Sequence, residues 1–147
     1  NSGKKVYLLI AGDGELYKNI YNNTTDTIIL LGKIDFPHII ALLKQANIFC
    51  LPTDYPEGFP TSVLEAAACK CFIVTTSAGG SKELISSKDY GIILSENSVE
   101  EIYINLKNVI DDERYRLNAA EKVYQKLINN FTWDIVAKKL LNIMSED

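Results

Sequence analysis

Tyr55-Pro-Glu-Gly-Phe-Pro-Thr-Ser-Val-Leu-Glu-Ala-Ala-Ala68 follows the apolar run Ile48-Phe-Cys-Leu51 almost directly. The run has the length of a short buried strand. Pro52 and Pro56 punctuate the segment after it, and from Val63 onward the composition turns helical. Strand, loop and helix in that order form the repeating unit of an α/β fold, and the chain repeats it. Strands are expected at 6–11, 28–31, 48–51, 72–75 and 91–94, each followed by enough chain for a crossover helix. Such crossovers make neighbouring strands parallel and put helices on both faces of the sheet.

Two glutamates, Glu57 and Glu65, bracket the loop-to-helix transition. Ligands of open α/β sheets bind in the crevice beyond the carboxyl ends of the strands. A helix start there offers free N–H groups and a positive dipole end to an anion, while nearby carboxylates can accept hydrogen bonds from hydroxyls. A ligand carrying both phosphates and sugar hydroxyls would suit that pairing. Ser62-x-x-Glu65 also fits a capping box, a structural role worth about 0.5–2 kcal/mol. Spacing alone leaves both roles open for Glu65. Glu57 precedes Gly58 and Pro60 in irregular chain, where the alternative to function is simple solvation.

Three glycine sites bear on the same question. Gly12-Asp-Gly14, after the first strand, permits a turn with positive φ and could equally let a nucleotide approach the backbone. It is not the dinucleotide fingerprint, because Tyr17 stands where the third glycine should be. Gly79-Gly80 opens a helix at Ser81 and is the better anion site; Lys82 and Glu83 are expected in solvent. Gly32-Lys33 follows the second strand, with Lys33 expected to be exposed.

Composition bounds the remaining classes. At 147 residues, 47% hydrophobic and 23% charged, the chain has the size of one compact domain spanning 1–147. Its net charge of −4 argues against a nucleic-acid binder, which needs a basic face. No apolar run approaches the ~20 residues of a membrane span, and the start lacks a signal-peptide pattern, so a cytoplasmic protein is expected. Cys50, Cys69 and Cys71 are an odd number without a small secreted scaffold to staple, and Cys50, inside the apolar run, is expected to be a buried free thiol. Cys69-Lys-Cys71 lacks the second ligand pair of a zinc site, and the only histidine, His38, is remote and follows Phe36-Pro37 at a helix start. No metal is expected.

Beyond residue 95 the pattern is helical. Ser98 with Glu101 forms a second capping-box signature, and Val99, Ile102, Leu106, Val109 and Ile110 follow helical spacing. Further helices are expected at 112–129 and 133–144, the last capped by Thr132 and stapled by Phe131 against Val136.

The ordered set formed by 6–15 (Val-Tyr-Leu-Leu-Ile-Ala-Gly-Asp-Gly-Glu), Leu30-Leu-Gly-Lys33, Gln45-Ala-Asn-Ile-Phe-Cys-Leu-Pro52, the Glu57/Glu65 segment, Gly79-Gly-Ser-Lys-Glu-Leu-Ile85 and Phe131-Thr-Trp133 resembles retaining nucleotide-sugar glycosyltransferases of the GT-B fold, particularly glycosyltransferase family four. The resemblance covers nearly the whole chain. It implies a Rossmann-like parallel sheet, the C-terminal half of a GT-B fold, with extra C-terminal helices. It implies that Glu57 orients the donor sugar as the catalytic carboxylate without acting as a nucleophile. Gly58, Phe59, Pro60 and Thr61 would meet the sugar and pyrophosphate, and Glu65 the ribose hydroxyls. Gly79 and Gly80 would lie beside the donor phosphates, Gly12 and Gly14 at the first turn, and Lys33 where the family makes backbone contacts to the nucleobase.

The implied activity is transfer of a hexose-type sugar from a nucleotide diphosphate donor to a glycan or lipid-linked acceptor, with retention and no cofactor. Bacterial surface polysaccharide assembly is the implied setting, with room for peripheral membrane association of the intact enzyme. The resemblance has gaps. The basic pair that neutralises the leaving diphosphate and the N-terminal GT-B domain have no equivalent here, and Lys70 and Phe72 replace a glycine and a proline. With Met144 the only methionine, the chain is expected to be the donor-binding part of a longer enzyme, inactive alone, whose last helix packs onto the missing domain. Two other readings stay open. A related nucleotide-sugar enzyme such as a 2-epimerase fits the glutamate spacing less well, and a non-catalytic doubly wound module of the receiver type lacks its acidic cluster, since Asp13 stands alone after the first strand.

Overall fold

The computed structural model describes residues 3–56 and 58–145, so Glu57 lies outside the described residues. The chain divides into two compact units, one reaching to Leu42 and the other starting at Leu43. In the first, β1 (Leu8–Ala11) and β2 (Ile28–Gly32) pair in parallel, Leu8 opposite Ile28 and Ala11 opposite Gly32, with a register shift after Ile10. The Gly12 N–H extends this ladder by donating to the Gly32 carbonyl at 2.8 Å. Both glycines have positive φ, 145° and 67°, a conformation that a Cβ resists.

A five-residue helix, α1 (Tyr17–Tyr21), crosses between the two strands, and Tyr17 turns its ring toward Gly32. α2 (Phe36–Leu43) runs across the division between the units. It starts at Asp35, whose carboxylate accepts the His38 N–H at 3.3 Å and also meets the His38 ring. That ring holds the Asp35 carboxyl below the usual range. His38 is exposed on the first helical turn, a surface residue as its position after Phe36-Pro37 suggests.

The second unit is built on β3 (Ile48–Leu51), β4 (Phe72–Thr76) and β5 (Ile92–Leu94), all parallel, with β4 in the middle. β4 pairs Ile48 with Phe72 on one side and Val74 with Ile92 on the other, and all five of its residues are buried. Covered on both faces, it must read as a continuous apolar run instead of an alternating one. Phe72 and Val74 pack with Leu94, Val109 and Ala119, drawing in Ile102, Leu106 and Tyr115 from the following helices. Cys50 is half-buried at the margin of this cluster, and Cys71 is fully buried with its thiol pushed up to about 12 by desolvation. All three cysteines are free.

α3 (Thr61–Ala68) connects β3 to β4, and its end explains the departure at Lys70. The Cys71 N–H donates to Ala66 O and the Lys70 N–H to Ala67 O, both at 3.0 Å, with Lys70 at φ 60°. This is a Schellman motif, whose left-handed position favours glycine. Lys70 holds it while its ammonium pairs with Glu121 at 2.7 Å and lies 4.5 Å from the Tyr124 ring centre. The lysine thus ties the end of α3 to α6 (Glu113–Asn130).

Between β4 and β5 stands only α4 (Ser81–Leu84), a single turn where a crossover helix was expected. α5 (Val99–Asp111) is capped by Ser98, whose hydroxyl accepts the Glu101 N–H at 3.2 Å. The reciprocal half of that capping box does not form. The Glu101 carboxylate reaches further back, to the Ser95 N–H and hydroxyl at 2.8 Å and the Glu96 N–H at 2.6 Å, and these bonds keep it below the usual range. α6 starts after Asp112, which accepts the Tyr115 N–H at 2.9 Å. α7 (Trp133–Met144) has the expected bounds, but the Thr132 hydroxyl makes no capping bond. Phe131 sets its ring against Phe59, and Val136 is exposed.

Gly91 shows how closely β5 approaches β4. At φ 145° it sits where a Cβ would come within 2.7 Å of the Ile73 carbonyl oxygen, a backbone atom that cannot turn aside. Gly91→Ala should therefore destabilise the second unit by about 2 kcal/mol or more, combining strain at positive φ with overpacking. Denaturant unfolding measures it; a midpoint equal to that of the unsubstituted chain would contradict this packing.

Candidate functional site

The carboxyl ends of β3, β4 and β5 share one edge of their sheet, and side chains at those ends fix the loops leaving it. Thr75 donates its hydroxyl to Leu51 O at 2.9 Å. Thr76 donates to Thr53 O at 2.5 Å and accepts the Thr53 N–H at 3.3 Å. Asn97, leaving β5, donates to Asp54 at 2.9 Å and to Pro52 O at 3.4 Å. Buried hydroxyls need partners, and here the partners are the last residue of β3, for Thr75, and the backbone of the loop after it, for Thr76. None of Thr53, Thr76 or Asn97 stood out in the sequence; the available signal was two β-branched hydroxyl residues closing an apolar run.

From that loop the chain reaches α3. Its N-cap is Pro60, with extended ψ of 112° and no side-chain cap. The helix begins at Thr61, so Ser62 lies one residue inside it and Glu65 is its fifth residue. The capping box proposed for Ser62 and Glu65 is therefore absent, because the helix starts two residues too early for Ser62 to cap it. Glu65 is half-buried, and its carboxylate accepts no hydrogen bond among the described residues. Among those residues the Thr61 and Ser62 amides donate to no carbonyl outside the helix either, and Val63 turns back to Pro60 O at 3.1 Å. An uncapped helix start with two uncommitted N–H groups can receive an anion.

The Gly79-Gly80 turn joins this site in a way the sequence did not disclose. The Gly80 N–H donates to Gly58 O at 2.7 Å, and a Cβ on Gly80 would fall 2.3 Å from the Phe59 ring. Gly80 is therefore a glycine because Phe59 occupies the side-chain position. Phe59 continues to Phe131, ring centres 5.7 Å apart at 72°. The backbone of Gly80 is engaged as well. Its amide is committed to Gly58, the Ser81 N–H donates to Ala78 O at 3.2 Å, and α4 is too short to carry much of a dipole. Gly79 is exposed at φ 49°. Ser81 is fully buried with its hydroxyl unpartnered, while Lys82 and Glu83 are in solvent as expected.

Gly12, Gly14 and Lys33 belong to the first unit. There Gly14 and Lys33 line an open cleft of about 650 Å³ together with Asp13, Glu15, Tyr17, Lys18 and Gly32, and Gly12 bonds to Gly32 behind it. Lys33 is exposed. Among the described residues no cluster of three or more His, Cys, Asp or Glu could hold a metal, and no helix is long and apolar enough to cross a membrane. Glu57, the catalytic candidate, lies outside the described residues.

Comparison with known proteins supplies the context. The N,N'-diacetylbacillosaminyl-diphospho-undecaprenol alpha-1,3-N-acetylgalactosaminyltransferase of Campylobacter jejuni is 34% identical over 105 residues, 71% of this chain and 27% of its own length. An uncharacterized glycosyltransferase of Methanocaldococcus jannaschii is 29% identical over 144 residues, 95% of this chain and 37% of its own length. The chain thus spans between about a quarter and two fifths of these relatives. Anabaena Alr3699/HepE, solved in complex with UDP-glucose, shares the fold with a TM-score of 0.82 at 19% identity, over 97% of this chain and 41% of that one. The structural neighbours are GT-B glycosyltransferases, and this chain has their Rossmann-like α/β architecture with additional C-terminal helices. The family model described as glycosyl transferases group 1 matches residues 1–126, most of the chain, and the chain belongs to that family.

Proposed function

We propose that this chain is the donor-binding part of a retaining glycosyltransferase of family four that transfers a hexose-type sugar from a nucleotide diphosphate sugar to a glycan or lipid-linked acceptor. The observation that carries the reading is the start of α3, where among the described residues two amides are uncommitted and uncapped and a half-buried, unpartnered Glu65 follows one turn later. Amides suit the diphosphate, and a carboxylate suits a pair of ribose hydroxyls. The solved complex of HepE with UDP-glucose, a protein of the same fold, makes UDP-glucose the natural first probe.

In this reading residues 58–61 present their backbone to the sugar and diphosphate, and Gly79 adds an exposed turn beside them. Glu57 orients the donor sugar, and the main catalytic term is electrostatic stabilisation of the departing diphosphate together with positioning of the reactants. The resemblance gives the backbone at Lys33 to the nucleobase and makes the Gly12–Gly14 turn a further ligand contact; within the first unit Gly14 and Lys33 line the same cleft. No metal takes part. The basic groups for the diphosphate and most of the acceptor site would come from an N-terminal domain, and the exposed apolar residues of α7, Trp133, Leu140, Leu141 and Met144, would pack against it. The setting would be the cytoplasmic side of polysaccharide assembly.

Glu65→Gln tests the ribose contact. It keeps the size of the side chain but removes the charge, and charge-assisted hydrogen bonds contribute about 1.5–3 kcal/mol. UDP affinity by calorimetry should fall roughly tenfold or more. The melting temperature should stay within about 2 °C, since Glu65 has no hydrogen-bond partner among the described residues to lose. Unchanged affinity would remove Glu65 from the site.

Glu57→Ala, made in the whole protein that carries this chain, separates sugar from nucleoside. Transfer should drop strongly in kcat while inhibition by the bare nucleoside diphosphate stays close to its original strength. Near-normal transfer would make Glu57 an ordinary loop carboxylate.

A further inference from the structure

Phe131 ends α6 and precedes α7, 72 positions beyond Phe59 in the chain. Three contacts nevertheless connect it to the loop before α3. Its ring meets Phe59 edge-on at 5.7 Å, Phe59 fills the side-chain position of Gly80, and the Gly80 N–H is bonded to Gly58 O at 2.7 Å. Both phenylalanines are half-buried, so neither is placed by enclosure in the core alone. Pro60 is fully buried and accepts the Val63 N–H at 3.1 Å, so the core already anchors that end of the loop. Gly58 is exposed, and among the described residues the side-chain hydrogen bonds that fix the loop after β3 stop at Tyr55, which leaves Gly58 and Phe59 to be held by other means.

We infer that Phe131 is a positioning residue for the donor loop: from the α6–α7 junction its ring holds Phe59 on Gly80, and thereby holds the backbone of Gly58 and Phe59 in place before any ligand arrives. An edge-to-face aromatic pair contributes beyond its buried area and also has a preferred angle, so it fixes direction as well as contact. Ordering a loop in advance removes an entropic cost from binding. The junction between the last two helices and the start of α3 then move as one assembly, and whatever displaces α7 at Phe131 is felt at the loop.

The inference rests on the proposed function only in its affinity arm; its structural arm reads without ligand. Hydrogen exchange of the Gly80 amide reports the bond to Gly58 directly, with the Val74 amide in β4 as internal reference. In Phe131→Ala and in Phe131→Leu, which keeps most of the apolar volume, Gly80 protection relative to Val74 should fall by about tenfold or more, with Phe131→Tyr close to the unsubstituted chain. UDP-glucose should bind roughly fivefold to tenfold more weakly to the Leu variant and normally to the Tyr variant. Unchanged Gly80 protection in the Leu variant overturns the inference, whatever the affinities. Equal loss at Gly80 and Val74 also overturns it, because the residue would then support only the fold. If the unsubstituted chain binds no UDP-glucose, the proposed function fails, and the exchange ratio still decides the role of Phe131.

Discussion

Five consecutive residues withdrawn from water, Phe72 to Thr76, constrain everything else in the second unit. Burying Phe72, Ile73 and Val74 contributes about 1.5–3 kcal/mol each, which a strand can realise only if both of its edges are paired and both of its faces covered. Parallel pairing with β3 and β5 meets the first requirement, and α3, α5 and α6 supply much of the cover. The last two residues of the strand then carry the constraint outward. Thr75 and Thr76 are buried with hydroxyls that must be satisfied; Thr75 satisfies its own on the last residue of β3 and Thr76 on the backbone of the loop that leaves it. A requirement of the core thus determines where the site loop begins.

The same reasoning explains what the sequence disclosed and what it withheld. β4 was legible because a parallel strand covered on both faces reads as an apolar run, and β3 falls on the expected residues; β1 reads as apolar too although most of it is exposed. The last helix was legible because its apolar spacing is regular, although most of that face meets no partner among the described residues. What could not be read was which of several polar residues caps a helix. Ser62 and Glu65 fit a capping box in spacing, yet Pro60 takes the N-cap, a choice made by the fold of the loop instead of by local preference. Contacts between distant segments were equally silent. Nothing in Gly79-Gly80 announces that Gly80 serves Phe59, nor in Phe131 that it faces a loop 72 positions earlier.

Losing the capping role changes the standing of Glu65. A carboxylate that neither caps its helix nor pairs with a cation, half-withdrawn from water one turn into a helix whose first amides are uncommitted, has no structural task in the described chain. Gly80 gains a structural task, as steric and hydrogen-bonding partner of the loop. The donor site we propose accordingly rests most on the start of α3. Membership of the glycosyl transferases group 1 and the GT-B architecture fit a crevice at the carboxyl ends of parallel strands.

The central claim is that an anionic nucleotide sugar is received at the start of α3. Amide chemical-shift mapping of the chain during titration with UDP-glucose tests it most directly. The largest shifts should fall on Gly58, Thr61, Ser62 and Gly79, with Glu65 next, while the amides of β4 and α7 stay where they are. A saturable response that leaves Thr61 and Ser62 unmoved and appears elsewhere would contradict the account.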